Sequence, residues 1–154
     1  MRLTHAAFWA GTTVVLSFPS LAEACSYMES TPPKDFSAAT AVFMGRVVSI
    51  EEQFNGMSFK DVVHFEVTTS WKQVSTREVI LETSDNPCDY SFEVGTEYVV
   101  FALPVAGKGT KAPSGTEMRW TTTFCTGTAQ TSSRYAAKTL EWLKQRKPLM
   151  LRPR

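Results

Sequence analysis

Five runs of β-forming residues, separated by turn signals and followed by one amphipathic helix, limit the folds open to this chain. The runs cover residues 41–50, 62–67, 79–83, 98–103 and 118–125. The first two alternate apolar and polar side chains, as half-buried strands do. The run 98–103 is apolar throughout, which predicts burial on both faces. Five short strands with one packing helix predict an all-β domain, built as a five-stranded Greek-key barrel of the OB-fold kind.

Gly45 and the C-terminal helix complete this prediction. Gly45 lies in the middle of the first run, where a residue without a side chain favours a bend or bulge of the kind that closes a barrel. Ser132 or Ser133 can cap the helix, and its apolar stripe is Ala136, Leu140 and Leu143. We expect one shared core made of Phe43, Val47, Val63, Phe65, Val67, Val99 and Phe101, with Leu140 and Leu143 packed on its side.

An apolar leader precedes the strands and ends at a small-residue processing site. The apolar run over residues 6–18 is shorter than the roughly 20 residues of a membrane-spanning helix. Ala22 and Ala24 form an Ala-x-Ala site, so residues 1–24 are predicted to be a signal peptide whose removal leaves Cys25 as the first residue. The mature chain is predicted to be a secreted or periplasmic protein of one domain, residues 25–147, without a transmembrane segment.

The charge balance argues against a nucleic-acid partner. The chain has 16 Lys and Arg against 15 Asp and Glu, a net charge of +1, whereas nucleic-acid-binding domains carry a strongly basic surface. The C-terminal end of the chain is basic and lacks acidic residues, and we expect residues 148–154 to form a solvated basic tail.

The residues also argue against an enzyme. The mature chain has one histidine, His64, on the polar face of a strand, where a lone histidine is more often a surface residue than a catalyst. The sequence contains no His-Glu-x-x-His, no Gly-x-Ser-x-Gly and no phosphate-binding glycine loop. The sequence therefore predicts a protein that is not an enzyme and needs no cofactor.

Three cysteines remain after removal of the leader: Cys25, Cys88 and Cys125. An exported chain folds in an oxidising compartment that favours disulfides. Three cysteines allow one bridge and one leftover thiol, and spacing alone does not choose among the three pairings.

A series of motifs along the mature chain occurs in one order. The motifs are Cys25-Ser26, the run 41–47, the run 63–67 with Trp71-Lys72, Cys88 with the run 92–101, and the run 123–128 before a helix. In this order they resemble the tissue inhibitors of metalloproteinases (TIMPs) and the wider netrin-like modules. The resemblance covers residues 25–143 and implies the same OB-fold barrel.

The resemblance also implies a disulfide and a mode of binding. The family opens Cys-x-Cys, whereas this chain has Cys25-Ser26-Tyr27, and the missing cysteine is the usual partner of the one that matches Cys125. A Cys25–Cys88 bridge and a free thiol at Cys125 are implied. In the family, the amine and carbonyl of the first residue chelate the catalytic zinc of a metalloprotease, which keeps an open position for such ligands. Cys25 would take that metal-chelating role, and the Ser26 side chain would enter the specificity pocket.

Two other interpretations stay open. The netrin-like module also serves as a plain protein-binding domain without inhibitory activity, since a fold does not fix a function. A cysteine directly after a leader is also typical of a bacterial lipoprotein. Cys25 would then carry a lipid, Cys88 and Cys125 would pair, and the blocked amine could not chelate zinc. Glu23 is a poor fit to a lipid-attachment site.

Overall fold

Strands and a C-terminal helix dominate the structure, a computed structural model that describes residues 30–54, 56–84, 87–105 and 119–153. In chain order the elements are α1 (Pro32–Ala38), β1 (Ala41–Phe54), β2 (Phe59–Lys72), β3 (Glu78–Ser84), β4 (Glu97–Pro104), β5 (Trp120–Thr121), a 3-10 helix (Phe124–Thr126), β6 (Ala129–Gln130) and α2 (Arg134–Lys144). The predicted mostly-β chain with a C-terminal helix is confirmed. Within the described ranges, no helix has the length and apolar character needed to cross a membrane.

Five of the strands close a ring of pairings. β1 pairs with β2, β2 with β3, β3 with β5, β5 with β4, and β4 again with β1. The β3–β5 pair is parallel and the other pairs of the ring are antiparallel. The short β6 lies outside the ring and pairs with β4. The ring therefore encloses one face of each of its strands.

The backbones of β1 and β2 approach each other closely at Gly45. The register of the two strands shifts between Met44 and Gly45, and again between Val47 and Ser49. A Cβ atom on Gly45 would lie 2.8 Å from the carbonyl oxygen of Glu66, a distance that side-chain atoms do not tolerate. Glycine is needed here because the two backbones meet without room for a side chain. The bulge predicted at Gly45 is confirmed.

The buried apolar side chains form two clusters, so the prediction of one shared core is wrong. The inner cluster, enclosed by the ring, contains Phe43, Val47, Val63, Phe65 and Val67 among others. Val99 and Phe101 are fully buried too, but they lie in an outer cluster beneath α2, where Leu143 is buried and Leu140 packs against them. The physical reason is the alternation of side chains along a strand. The alternate residues of β4 face the ring instead: Tyr98, Val100 and Ala102.

The fifth predicted strand is much shorter than residues 118–125. Of residues 119–125, the part of this run that the structure describes, only Trp120–Thr121 is strand. Threonine hydroxyls then take over the hydrogen bonds of a ladder. The Phe101 N–H donates to Thr128 Oγ1 over 2.9 Å, and Thr122 Oγ1 donates to the Phe101 carbonyl over 2.9 Å. The chain then turns into the 3-10 helix, which begins where Thr123 Oγ1 accepts a hydrogen bond from the Cys125 N–H.

Candidate functional site

The predicted N-terminal site begins outside the described residues. Cys25, Ser26 and the predicted signal peptide all precede Ser30, where the described chain starts. The structure describes the path of the chain from Ser30 into the fold and the surroundings of Cys88 and Cys125.

The Asp35 carboxylate joins the start of the described chain to the segment that carries Cys125. Ser30 Oγ donates a hydrogen bond to Asp35 Oδ2 over 2.6 Å. The same carboxylate packs on the backbone of Gly127, since a Cβ atom there would lie 2.7 Å from Asp35 Oδ2. Gly127 has φ +83° and ends the 3-10 helix that contains Cys125. The chain therefore enters α1 directly beside the Cys125 segment.

Lys72 of β2 binds the C-terminal end of α1. Its Nζ atom donates to the carbonyl oxygens of Phe36, over 2.9 Å, and of Ala39. A cation suits this position because the last carbonyls of a helix carry partial negative charge. The Phe36 ring also meets Trp142 of α2 edge to face, with centroids 5.5 Å apart. Asp35 contacts Gly127, and Lys72 binds carbonyls at the C-terminal end of the helix. Together these contacts hold α1 at a defined place on the sheet.

Cys88 and Cys125 lie on two neighbouring segments. The Phe124 N–H donates to the Cys88 carbonyl oxygen over 3.1 Å. Asp89, the residue after Cys88, and Thr123, the residue before Phe124, form an isolated antiparallel bridge. The residue after Phe124 is Cys125, so backbone pairing brings the two cysteines to the same region of the surface.

The two cysteines differ in chemical state. Cys125 is an exposed free cysteine, and Cys88 is disulfide-bonded. Cys25 lies outside the described residues, so the Cys25–Cys88 pairing stays a prediction.

Asp89 directly follows Cys88 and bonds to the end of β3. Its carboxylate accepts a hydrogen bond from the Ser84 N–H over 2.7 Å and another from Ser84 Oγ. These bonds tie the end of β3 to the segment after Cys88. Asp89 therefore has a local structural role, which is to fix the backbone next to Cys88.

A row of aromatic rings connects this region with the inner cluster. Phe124 is 54% exposed, and its ring centroid lies 5.2 Å from that of Tyr90. Tyr90 contacts Phe92 and Tyr98, and Phe92 meets the buried Phe65 at 5.2 Å. Burial raises the pKa of Tyr90 and of Tyr98 above the ordinary value, and both phenols are uncharged at neutral pH, as an ordinary tyrosine is. The exposed Phe124 is thus backed by packed, neutral rings.

His64 belongs to a different part of the molecule. Its Nε2 atom lies 3.8 Å from Glu51 Oε1, and it borders a cavity of about 540 Å³ that no residue of the cysteine region lines. The other lining residues are Val48, Ser49, Phe65, Glu66, Gln73, Val74, Ser75, Thr76, Glu78, Val79, Ile80 and Trp120. Among the described residues, no group of three or more His, Cys, Asp or Glu side chains is arranged to hold a metal ion.

Sequence reasoning missed α1 and its anchors. One signal was available, because Pro32 and Pro33 occupy the first positions of α1, where proline is favoured. Asp35 and Lys72 gave no such signal, since Gly127, which Asp35 contacts, and the α1 carbonyls, which Lys72 binds, lie far from them in the sequence. Gly127 follows the predicted fifth strand directly and could have been read as its end.

Gly127 offers a test of the α1 anchor, with Gly95 as a matched control. Both glycines have φ +83°, but a Cβ atom on Gly95 would meet nothing within 4 Å, whereas one on Gly127 would collide with Asp35. Gly95→Ala should cost about 1–2 kcal/mol from backbone strain alone. Gly127→Ala should cost at least about 1 kcal/mol more, because Asp35 must move. Urea denaturation measures both, and equal losses would show that the Asp35 contact does not hold α1.

The chain matches no protein-family model and no curated protein.

Proposed function

We propose that the mature chain is an exported TIMP-like protein that binds a zinc metalloprotease through its new N-terminus. In this proposal the amine and carbonyl of Cys25 chelate the catalytic zinc of the protease, and the Ser26 side chain enters its specificity pocket. The domain that presents them, residues 25–147, is an OB-fold barrel.

The ring of strands supports the OB-fold part of this proposal. An OB-fold is a five-stranded, partly open Greek-key barrel. Here five strands close a ring, and the last of them, β5, is inserted between β3 and β4. Gly45 gives β1 the tight bend that such closure needs.

The state of the cysteines is the observation that carries the functional part. The chain has three cysteines; Cys125 is free and Cys88 is bonded, which agrees with the Cys25–Cys88 bridge that the TIMP resemblance implies. A Cys25–Cys88 bridge would hold the first residue beside the Phe124 segment. The hydrogen bond from Ser30 to Asp35 supports this, since it brings the described start of the chain to the same place.

Zinc chelation by the first residue is favoured when its amine and carbonyl are already held in place. The amine and carbonyl of one residue can reach the metal together, and a catalytic zinc keeps an open coordination position. Holding these atoms in place before binding lowers the entropy cost of association. The exposed Phe124 would border the chelating residue and add apolar contact to a partner.

The free Cys125 also bears on the alternative of a lipoprotein. In the lipoprotein interpretation, Cys88 and Cys125 pair and the lipid occupies Cys25, so that no free thiol remains. Cys125 is a free thiol, which does not agree with that pairing. The plain netrin-like binding module remains the second candidate, because it needs the same fold but no chelating amine.

Inhibition assays on the secreted, processed protein test the proposal. We expect it to inhibit at least one member of a panel of zinc metalloproteases. Replacing Ser26 with phenylalanine should change which protease is inhibited, because that side chain enters the specificity pocket. His64→Ala is the matched control and should change nothing, since His64 lines a different cavity. If the native protein inhibits no protease, the plain binding module becomes the better account.

A further inference from the structure

The net charge of the chain is close to zero, but its charged residues are distributed unevenly. Residues 134–154 hold seven of the 16 Lys and Arg residues and only one of the 15 Asp and Glu residues, and acidic residues outnumber basic ones elsewhere. Residues 144–153, where α2 ends and the tail follows, are called here the basic segment. Its basic side chains are all exposed: Lys144, Arg146, Lys147 and Arg152.

The positive charge of the basic segment is barely neutralised within the protein. Lys144 Nζ lies 3.2 Å from Glu141 Oε2, but the two side chains are 73% and 71% exposed, so water screens this ion pair. The Arg146 guanidinium lies 3.8 Å from the ring centroid of Trp142, an uncharged partner. The other two basic side chains of the segment have no carboxylate within ion-pair distance among the described residues. The segment therefore offers a positive potential to a negatively charged partner.

Exposed apolar side chains stand among these charges. Met150 is 91% exposed and Leu149 is 43% exposed, and both lie between Lys147 and Arg152 in the sequence. An apolar side chain gains free energy when a partner removes it from water. Lysines and arginines beside exposed apolar residues are typical of segments that lie on a membrane surface, where the charges attract anionic lipids and the apolar groups enter the headgroup boundary.

The sheet holds the tail in a defined position. Two backbone hydrogen bonds fix it on either side of Met150, from the Leu149 N–H to the Ser70 carbonyl over 2.7 Å and from the Arg152 N–H to the Ser75 carbonyl over 2.8 Å. Leu151 packs against the inner cluster, while the neighbouring Met150 points into solvent. The tail predicted from the sequence is thus exposed along most of its described length, but its backbone is anchored. An anchored segment loses less entropy when it binds a partner.

We propose that the basic segment is a membrane-binding surface and that its partner is an anionic phospholipid bilayer. The side chains of Lys144, Lys147 and Arg152 contact the negatively charged headgroups, and Met150 enters the boundary between the headgroups and the acyl chains. The exposed methionine favours a lipid surface over a soluble polyanion, which could pair with the basic side chains but could not take Met150 out of water. This surface includes neither Cys25 nor the cysteine region, so the proposal stands independently of protease inhibition.

Sedimentation of the secreted, processed protein with lipid vesicles tests this proposal. One set of vesicles contains phosphatidylcholine alone, and the other contains phosphatidylcholine and phosphatidylglycerol in equal parts. We expect the dissociation constant to be at least about ten-fold lower for the anionic vesicles, since each basic residue near the surface adds attraction. Raising the salt from about 0.1 M to about 1 M should weaken this binding at least about ten-fold, because it shortens the Debye length. Equal binding to the two sets, or no binding to the anionic set, overturns the proposal.

Two pairs of matched variants locate the surface. Arg152→Gln keeps the backbone N–H and should weaken binding to anionic vesicles about five-fold, whereas Arg119→Gln, at a side chain 60% exposed, should change it less than about two-fold. Met150→Ser should weaken binding at least about three-fold, whereas Met57→Ser, at a residue 96% exposed, should not. Both controls lie near the start of β2, whereas the tail contacts the end of β2. If the controls lose as much affinity as the test variants, the proposal is overturned.

Inorganic polyphosphate separates a lipid surface from a soluble polyanion. At equal phosphate concentration it should displace less than half of the protein from the anionic vesicles, because it offers no apolar phase to Met150. If polyphosphate binds the protein as tightly as the vesicles do, and Met150→Ser changes neither affinity, the partner is a soluble polyanion and the proposal is overturned. Circular dichroism first establishes that each variant is folded, and the comparison of the two sets of vesicles with the unaltered protein needs no variant.

Discussion

Replacing Phe65 with alanine is expected to lower the free energy of unfolding by about 3–5 kcal/mol. Phe65 lies in the middle of β2 and is 1% exposed. Its ring meets Phe43 at 5.5 Å and Phe92 at 5.2 Å, both edge to face. The substitution therefore removes both ring contacts and leaves a cavity between β1, β2 and the segment before β4, which the surrounding strands cannot fill.

Urea denaturation followed by circular dichroism measures this loss, and Phe54 supplies the control. Phe54 stands at the end of β1, is 62% exposed and contacts the Phe59 ring alone among the described aromatic pairs. Phe54→Ala should cost no more than about 1 kcal/mol, the contribution of one exposed ring pair. If the two alanine variants lose similar stability, Phe65 does not occupy the centre of the inner cluster and the assigned strand register is wrong.

Much of the sheet could be predicted because alternation along a strand carries direct information about its faces. Phe43, Phe65 and Val67 stand at alternate apolar positions, and all are buried. The unbroken apolar run of β4 correctly indicated burial on both faces. The sequence could not show that the two faces of β4 enter different clusters, because that depends on α2 covering one side and the ring enclosing the other.

The elements that were misjudged owe their conformation to contacts far away in the sequence. The residues around Thr122 favour strand by local preference, yet they turn away because Thr122 and Thr128 bind the backbone of Phe101. The tail has the composition of a solvated end and is largely exposed, yet the Leu149 N–H donates a hydrogen bond to the Ser70 carbonyl of β2. Local preference predicts neither result.

The cysteines of the candidate site can be picked out from the sequence, whereas the contacts that support the site cannot. Cys25, Cys88 and Cys125 are few enough to be singled out in any exported chain. The backbone pairing that brings Phe124 to Cys88 and the carboxylate of Asp35 that holds α1 beside Gly127 arise only in the folded chain. The pairing of Cys25 rests on the family resemblance together with the state of the other two cysteines.

An extra alanine before Cys25 is expected to weaken protease inhibition at least about 100-fold, which corresponds to about 2.8 kcal/mol of binding free energy. The added residue converts the Cys25 amine into an amide, which is a poor metal ligand, and moves the new amine away from the chelating position. The added alanine would also occupy the space that the zinc ion takes in the complex with the native protein. The fold should be unaffected, because the described chain is anchored from Ser30 onwards by contacts that the extension does not touch.

The inhibition constants of the native and alanine-extended proteins against one inhibited zinc metalloprotease test the central claim most directly. Both proteins are first shown to have the same unfolding free energy and one labelled thiol, Cys125. The account predicts inhibition by the native protein and a loss of at least about 100-fold on extension. Equal inhibition by the two forms would contradict it, because the N-terminal residue would then not be the group that binds the zinc.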